Sequence, residues 1–442
     1  MSKLAFIIFG FTRLTPQTFC LFYFILHRFN GLLILLYLQA ISQSMNKPIN
    51  TTIPQLSFED TQIAFASKSN FKLKKAFWIF ALMNQNWLVK LGTFFIKLFL
   101  FLHFPIKKLI KSTIFEQFCG GETIQECKQT IEQLQLGKIG TILDYSVEGE
   151  ENEKSFQTTK HEILKTIQKA HENQSIPFAV FKMTGIFQAE LLEEFQTESG
   201  LSEENEGAFQ HSKDILLEIC QLAHELNVRL FIDAEESWIQ GTIDTLTYEM
   251  MARFNQKEAI IFNTFQMYRM DMLDNLKQAI AVAKEQHYFL GVKLVRGAYL
   301  EKERQRAHEE EYSEPLHKIK SDTDRDFNEG MLACLAAIEC VNFCIGTHNE
   351  YSCRLLTEEM AKQQIPHNHH NIYFAQLLGM SDNISYNLAA AGYNVAKYVP
   401  YGPVESVMPY LFRRAEENSS IAGQTSREYT LLLNEVKRRK NA

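Results

Sequence analysis

Eight short apolar segments rich in β-branched residues follow one another beyond Gly120, and a longer stretch with helical periodicity succeeds each of them. The segments span residues 140–146, 177–184, 228–234, 259–266, 290–295, 342–347, 371–377 and 394–399. Strands that alternate with helices pair in parallel through right-handed crossovers, and eight of them close most naturally into a barrel. The sequence therefore predicts an α/β fold, a (βα)8 TIM-like barrel with an N-terminal helical arm.

An open, doubly wound sheet is the competing architecture. Such a sheet normally carries a glycine-rich phosphate-binding turn directly after its first strand. The corresponding segment here, LDYSVEGEENEKS at residues 143–155, contains no GxGxxG pattern. A chain of 442 residues also suits one large barrel with an appendage. The barrel is therefore preferred.

Charge is distributed unevenly along the chain. Residues 1–118 contain 13 Lys and Arg against only Glu59, Asp60 and Glu116, yet the whole chain has a net charge of −7. The remainder is therefore strongly acidic, which argues against nucleic-acid binding by the barrel.

The basic N-terminal part is expected to comprise two segments. Residues 1–44 are expected to form an apolar extension. His27, Arg28 and Asn30 interrupt it, and each half is too short for a comfortable membrane span. If Met45 is the natural start, this extension is not part of the native protein. Residues 45–118 are expected to form a basic amphipathic helical arm, because residues 71–111 combine Phe and Trp with repeated Lys. Helices on a membrane surface and helices that cover the barrel's apolar flank are both open interpretations, and they are compatible.

Polar residues recur where the eight predicted strands end. In a (βα)8 barrel these carboxyl ends meet at one face, where the active site forms. We therefore expect these side chains to converge on one site. For Asp144 or Lys397 considered alone, a structural ion pair is as good an interpretation as a functional role. The polar residues are Asp144, Lys182, Asp233, Glu235, Gln266, Lys293, Arg296, Thr347, His348, Asn349, Gln376, Lys397 and Tyr398.

A final helix follows the eighth strand and carries two adjacent arginines. In MPYLFRRAEENSS, Tyr410, Arg413, Arg414 and Glu417 are spaced to share one helix face. Two guanidinium groups held together form a clamp for a carboxylate or a phosphate, and Glu417 can brace either of them.

Histidine and cysteine patterns do not favour a metal centre or disulfides. His367, His369 and His370 lie in a polar loop after Pro366 without a nearby carboxylate or cysteine, and the eight cysteines form no CxxC pair. Reduced thiols and a cytosol-facing body are expected.

Six motifs occur along the chain in the order IDAEES, FNTFQMY, KLVRGAYLEKER, GTHNE, QLLGM and KYVPYGPVESVMPYLFRRAEENSS. In this order they resemble the proline dehydrogenase family, most closely its monofunctional, eukaryotic-like branch, and the similarity runs over about residues 143–420. The resemblance implies a distorted (βα)8 barrel over residues 119–442, with FAD across the carboxyl ends of the strands and the last helix capping the substrate. It also implies oxidation of L-proline to 1-pyrroline-5-carboxylate, with the electrons passing to a membrane quinone.

The same resemblance implies roles for individual side chains. Asp233 and Lys293 match positions regarded as catalytic. The substrate would be bound by Lys182, Tyr299, Leu377, Tyr398, Tyr410, Arg413 and Arg414. FAD would be held by Gln266, Lys293, Val295, Arg296, Gly297, Ala298, Thr347, His348 and Glu417. No residue is assigned to a metal, and the implied location is cytoplasmic and peripheral to the inner membrane, the mitochondrial one if the chain is eukaryotic.

The sequence is compatible with three other functions. The same machinery could oxidise 4-hydroxyproline, but Tyr398 would crowd a ring hydroxyl that relatives with a smaller residue accept, so L-proline is preferred. A barrel lyase could instead use Lys182 or Lys293 as a Schiff-base nucleophile, which borohydride trapping would reveal. An inactive membrane-bound scaffold would show neither a flavin spectrum nor turnover.

Overall fold

A computed structural model describes residues 56–102, 104–146, 153–197, 200–420 and 424–442, and the apolar extension predicted for residues 1–44 lies outside them. The predicted barrel is confirmed: eight strands pair in parallel in sequence order, and β1 closes the barrel against β8. Each strand overlaps one of the predicted segments. The fifth strand has the predicted bounds, and the eighth ends two residues later than predicted. The strands are β1 Gly140–Tyr145, β2 Phe178–Lys182, β3 Arg229–Asp233, β4 Ile261–Gln266, β5 Leu290–Val295, β6 Val341–Gly346, β7 Ile372–Leu377 and β8 Val395–Tyr401.

Helices precede, connect and follow these strands. Before the barrel lie α1 Thr61–Ala64, α2 Asn70–Met83, α3 Asn86–Phe101, α4 Lys107–Ile110, a π-helical turn Lys111–Phe115, α5 Glu116–Phe118 and α6 Lys128–Leu136. Between strands lie α7 Glu153–Glu172, a 3₁₀ turn Met183–Gly185, α8 Ala189–Gln196, α9 Glu203–Glu225, α10 Ser237–Phe254, α11 Met272–Glu285, α12 Leu300–Glu309, α13 Lys320–Ala336, α14 Glu350–Lys362 and α15 Asp382–Ala390. The chain continues through α16 Met408–Ser420 and α17 Gln424–Asn441.

Aromatic side chains fill the interior of the barrel towards its amino-terminal end. Phe178 stacks on Phe231 with their ring centroids 4.2 Å apart, and Phe262 meets Phe178 edge-on at 5.5 Å. Arg229 places its guanidinium carbon 5.8 Å from the centroid of Phe178 and so covers this cluster. Successive side chains of a strand point to opposite faces, so every second residue beyond this aromatic layer faces the interior again. The polar side chains at the carboxyl ends are thereby divided into inward and outward sets.

The N-terminal arm packs on the C-terminal helices through one apolar face. Leu73 and Phe80 of α2 are buried in a cluster with Leu411 of α16 and Leu432 of α17. The opposite face of α2 and α3 exposes aromatic and aliphatic side chains between lysines. Within the described ranges, we find no helix that combines the length and the apolar character needed to span a bilayer. The described part of the arm, from residue 56 onward, is thus largely helical, as expected. The domain boundaries at residues 44 and 118 stay predictions.

Candidate active site

A buried cluster of Lys293, Asp233 and Tyr398 lies inside the barrel at the carboxyl ends of β5, β3 and β8. The Nζ of Lys293 donates to Asp233 Oδ1 and, at 2.7 Å, to the hydroxyl of Tyr398. The ammonium group also lies 4.7 Å from the centroid of the Tyr398 ring. Burial, and then repulsion by Asp233, raise the pKa of Tyr398 well above its ordinary value. The tyrosine is therefore neutral, and the lysine is fixed in direction by two partners on different strands.

Asp144 and Lys182 occupy the neighbouring ends of β1 and β2. Lys182 pairs in register with Asp233 on β3. Burial raises the pKa of the Asp144 carboxyl, while the charge of Lys182 acts in the opposite direction. Ser146 donates to Asp144 Oδ2 at 2.6 Å. The predicted convergence of these strand ends is therefore observed, with cations and carboxylates adjacent.

Glu235, which the predicted set of catalytic and ligand-binding residues lacks, belongs to the same cluster. Its carboxylate accepts the backbone N–H of Thr184 at 2.9 Å and the Thr184 hydroxyl at 2.5 Å. Burial raises the pKa of Glu235 to about 7, against the opposing charge of Lys182. Gln266 donates its Nε2 to the Glu235 carbonyl at 2.6 Å. The signal in the sequence is its position two residues after Asp233 in the motif IDAEES.

Tyr299 follows β5 and faces the ends of β2 and β3. Burial raises its pKa; Lys182 opposes this shift, and Glu235, Glu236 and Asp233 add to it. Because nearby charges shift the pKa of Tyr299, its hydroxyl lies among the charged groups of the barrel mouth. The predicted role of Tyr299 in closing the pocket is compatible with that position.

The turn after β5 combines a fixed arginine with a glycine in a left-handed conformation. Arg296 donates through Nε to Asp324 at 2.7 Å, through Nη1 to the Thr347 hydroxyl at 2.8 Å, and through Nη2 to Ser352 at 3.0 Å. Gly297 has φ +132°, and a Cβ there would lie 2.5 Å from the Tyr268 ring. Only glycine fits this backbone without displacing the ring. Val295 is half-buried before the turn, and Ala298 is exposed after Gly297.

His348 lies beyond β6 and is neutral at physiological pH. Burial, followed by the charges of Lys397, Arg414 and Arg296, lowers its pKa to about 3. Its Nδ1 lies 2.8 Å from the hydroxyl of Ser381. Because the charge of Arg414 contributes to the lowered pKa of His348, the last helix lies close enough to the end of β6 to interact with it electrostatically.

The last helix, α16, lies against the site through an apolar wall. Leu377 packs both on the barrel-interior cluster that contains Tyr398 and on the cluster that contains Tyr410. Tyr410 is buried, and the guanidinium carbon of Arg414 lies 5.3 Å from its ring centroid. Arg413 and Arg414 are both half-buried. Glu417 belongs to α16, but its side chain lies outside the described part of the chain.

Two polar strand residues, Gln376 and Lys397, do not join the converging site, and the expectation that all strand-end polar groups meet there is wrong for them. Both alternate with inward-facing neighbours, so their side chains leave the barrel on its outer face. Lys397 pairs with Asp382 at 2.9 Å; burial alone would raise the pKa of Asp382, but Lys397 and Lys68 hold it at about 2. Gln376 donates to the Thr347 carbonyl at 3.1 Å. Their contacts are structural.

Comparisons with known proteins agree with one another. A family model described as proline dehydrogenase matches residues 127–427. Proline dehydrogenase 1, mitochondrial, of Dictyostelium discoideum is 33% identical over 426 residues, covering 86% of this chain and 74% of that protein. Hydroxyproline dehydrogenase of Xenopus laevis is 29% identical over 365 residues, covering 75% and 78% respectively.

A solved structure shares the fold. Proline utilization A (PutA) from Bdellovibrio bacteriovorus inactivated by N-propargylglycine matches with a TM-score of 0.65 and 18% identity. The match covers 87% of this chain but only 41% of that larger protein.

Proposed function

The chain belongs to the proline dehydrogenase family, and on that basis we propose that it oxidises L-proline to 1-pyrroline-5-carboxylate, with FAD as cofactor and a membrane quinone as the final electron acceptor. The observation that carries the proposal is the apolar wall of Tyr398, Leu377 and Tyr410, which connects the buried Lys293–Asp233 pair to the arginines of α16. The end of this wall at α16 carries the arginines and suits a carboxylate, and its apolar middle suits the ring of a cyclic amino acid.

The substrate contacts follow from this arrangement. Arg413, Arg414 and Lys182 are proposed to bind the carboxylate, because guanidinium groups match its geometry in a two-pronged hydrogen bond. Tyr398, Tyr410 and Leu377 would pack on the ring methylenes, and Tyr299 would close the pocket. Holding the ring in one orientation, away from water, contributes more to hydride removal than a strong protein base would.

The turn after β5 and the loop after β6 fit a flavin nucleotide. Arg296 is held rigid by three partners, neutral His348 has a second ring nitrogen available for a hydrogen bond, and Gly297 presents bare backbone. Bound there, FAD supplies the two-electron acceptor for the hydride. The residues proposed to hold it are Gln266, Lys293, Val295, Arg296, Gly297, Ala298, Thr347, His348 and Glu417.

Lys293 and Asp233 are proposed as the catalytic pair. Asp233 orients the ammonium group of Lys293 through a direct hydrogen bond, and the pair is buried, with the Lys293 side chain 5% exposed. A fixed cation in such a site stabilises negative charge that develops beside it. Because two of its N–H bonds are donated to Asp233 and Tyr398, Lys293 is poorly placed to attack a carbonyl, which disfavours a Schiff-base lyase with Lys293 as its nucleophile.

The exposed face of the N-terminal arm is proposed to bring the enzyme to a membrane that contains the quinone. Lys72, Lys74 and Lys90 are exposed beside this apolar face, and residues 61–115 contain no Asp or Glu. Aromatic rings with interleaved lysines match a lipid headgroup region. The exposed apolar residues are Phe71, Trp78, Leu82, Trp87, Leu91, Phe94, Phe95, Leu102, Phe104 and Leu109.

Turnover with defined substrates tests the proposed activity. Purified protein supplied with FAD and a water-soluble quinone should convert L-proline to a product two hydrogens lighter by mass spectrometry, and should convert 4-hydroxyproline more slowly. The Xenopus relative makes 4-hydroxyproline the second candidate substrate. Faster turnover of 4-hydroxyproline would favour that alternative, and turnover of neither would contradict the proposal.

A further inference from the structure

Helix α12, Leu300–Glu309, starts directly after Tyr299 and has almost no apolar face. Its sequence is LEKERQRAHE, and the residues that it buries are Glu303 and Ala307. Leu300 is 38% exposed. A helix normally docks by burying an apolar stripe. Here hydrophobic burial contributes little, so polar contacts must fix the position of α12.

Glu303 supplies the most buried of these contacts. Its side chain is fully buried, and its two carboxylate oxygens accept the backbone N–H and the hydroxyl of Ser237, each at 2.6 Å. Ser237 is the first residue of α10, so the carboxylate lies at the N-terminus of an 18-residue helix. Backbone N–H groups at a helix N-terminus lack intrahelical partners and favour a negative charge.

Neighbouring residues extend the same attachment. Lys302 pairs with Glu236 at 2.5 Å, and the guanidinium carbon of Arg306 lies 4.4 Å from the centroid of the Trp238 ring. The three partners, Glu236, Ser237 and Trp238, are consecutive and follow the end of β3. These three contacts attach α12 beside Asp233 and Glu235 of the barrel mouth, and Arg306 adds a second, half-exposed attachment through its ion pair with Glu193 of α8.

This attachment bears on the pocket because the turn that carries Gly297 and Tyr299 leads directly into α12. Tyr299 interacts electrostatically with Lys182 and Glu235 on the opposite strands, and Gly297 lies against the Tyr268 ring. A displacement of α12 would withdraw both residues from these positions.

We propose that Glu303 is a positioning residue whose bond to Ser237 holds α12, and through it Tyr299, closed over the substrate pocket. The inference rests on the proposed function, since it assigns Tyr299 to the proline site. It predicts that the Glu303–Ser237 contact controls substrate affinity more than it controls flavin binding or the stability of the barrel.

Three substitutions in the full chain, with a matched control, test the inference. Glu303→Ala should raise the KM for L-proline about tenfold, the effect of losing one charge-assisted contact. Glu301→Gln, an exposed acidic residue on the same helix, should leave KM unchanged. Glu303→Gln, which still accepts the Ser237 N–H, should have an intermediate effect. Ser237→Thr should behave as wild type because it retains both donors.

Two further measurements separate this role from a general loss of stability. Hydrogen exchange in Glu303→Ala should accelerate in residues 300–309 and not in the barrel strands. The double variant Glu303→Gln with Ser237→Ala should be less impaired than the product of the single effects, since both remove the same contact. If Glu303→Ala is too unstable to purify, Glu303→Gln and Ser237→Ala carry the same comparison.

Unchanged KM and unchanged exchange in residues 300–309 in folded variants would overturn the inference. Equal acceleration of exchange throughout the barrel would overturn it too. Wild-type protein that does not oxidise proline would instead contradict the proposed function, and the exchange measurement would still decide whether Glu303 holds α12.

Discussion

Lys293 shows how much of the site depends on single contacts between strands. Its ammonium group touches a carboxylate from β3 and a hydroxyl from β8, so three strands fix one cation. Removal of either partner would leave a buried charge with fewer hydrogen bonds, which costs about 1–3 kcal/mol. A rigid, dry cation is therefore maintained at the place where the reaction is proposed to occur.

Substrate binding is expected to depend on the arginines of α16. Arg413→Met should raise the KM for L-proline about 100-fold, since a two-pronged ionic contact of about 3 kcal/mol is lost. The flavin absorbance of the purified variant should be retained. Arg253→Met, an exposed arginine of α10, is the control. Loss of flavin with unchanged proline affinity would reverse the assigned roles.

Ring selectivity is expected to depend on Tyr398. Replacing its side chain in Tyr398→Ser frees space beside Lys293, so kcat/KM for 4-hydroxyproline relative to L-proline should rise about tenfold. Tyr398→Phe, which keeps the ring, should not change this ratio. Equal ratios for the serine variant and wild type would show that Tyr398 does not limit ring substituents.

Stability should depend on pH through Glu235. Its pKa is about 7 in the folded protein and 4.5 as an ordinary value, so the folded state binds more protons between these pH values. The unfolding free energy therefore falls as pH rises through this window, by up to about 3 kcal/mol from this group. Urea unfolding at pH 5 and pH 8 should show that Glu235→Gln stabilises the protein more at pH 8 than at pH 5.

The exposed Glu225→Gln variant of α9 is the control for that comparison. A Glu235→Gln effect of equal size at the two pH values would show that this carboxyl does not titrate as described.

At the scale of elements, each arm helix has a packed face and an exposed face: α2 packs mainly on α17, and α3 packs on α16. The replacements Trp78→Ser and Trp87→Ser together remove two rings that are each 64% exposed. Binding to vesicles of anionic phospholipid should weaken about tenfold or more, because each buried ring contributes apolar contact. Turnover with a water-soluble quinone should not change.

Tyr351→Ser removes an aromatic residue that is 65% exposed on another helix, and it should leave vesicle binding intact. Undiminished binding by the double tryptophan variant would exclude this face as the membrane contact.

The sequence predicted strands better than the directions of their side chains. Adjacent residues Lys397 and Tyr398 have opposite fates: the first pairs with Asp382 outside the barrel wall, and the second contacts Lys293 inside. In a parallel barrel both faces of each strand are buried, so β8 shows no alternation of polar and apolar residues that would reveal its register. The role of Glu303 could not be predicted either, because the charged sequence LEKERQRAHE is typical of a solvent-exposed helix and does not indicate which carboxylate is buried.

At the scale of the whole molecule, the order of the eight strands followed from their alternation with helices, because right-handed crossovers leave few other topologies. The attachment of the arm to α16 and α17 could not be predicted in the same way. Its buried residues, such as Phe80 and Leu432, are separated by most of the chain, and no local pattern links them.

Proline is proposed to bind between the barrel mouth and α16, within reach of a bound flavin. The decisive measurement is anaerobic addition of L-proline to flavin-loaded protein. The absorbance of oxidised flavin should bleach in proportion to the protein present. Folded, flavin-loaded protein whose spectrum L-proline leaves unchanged would contradict this proposal.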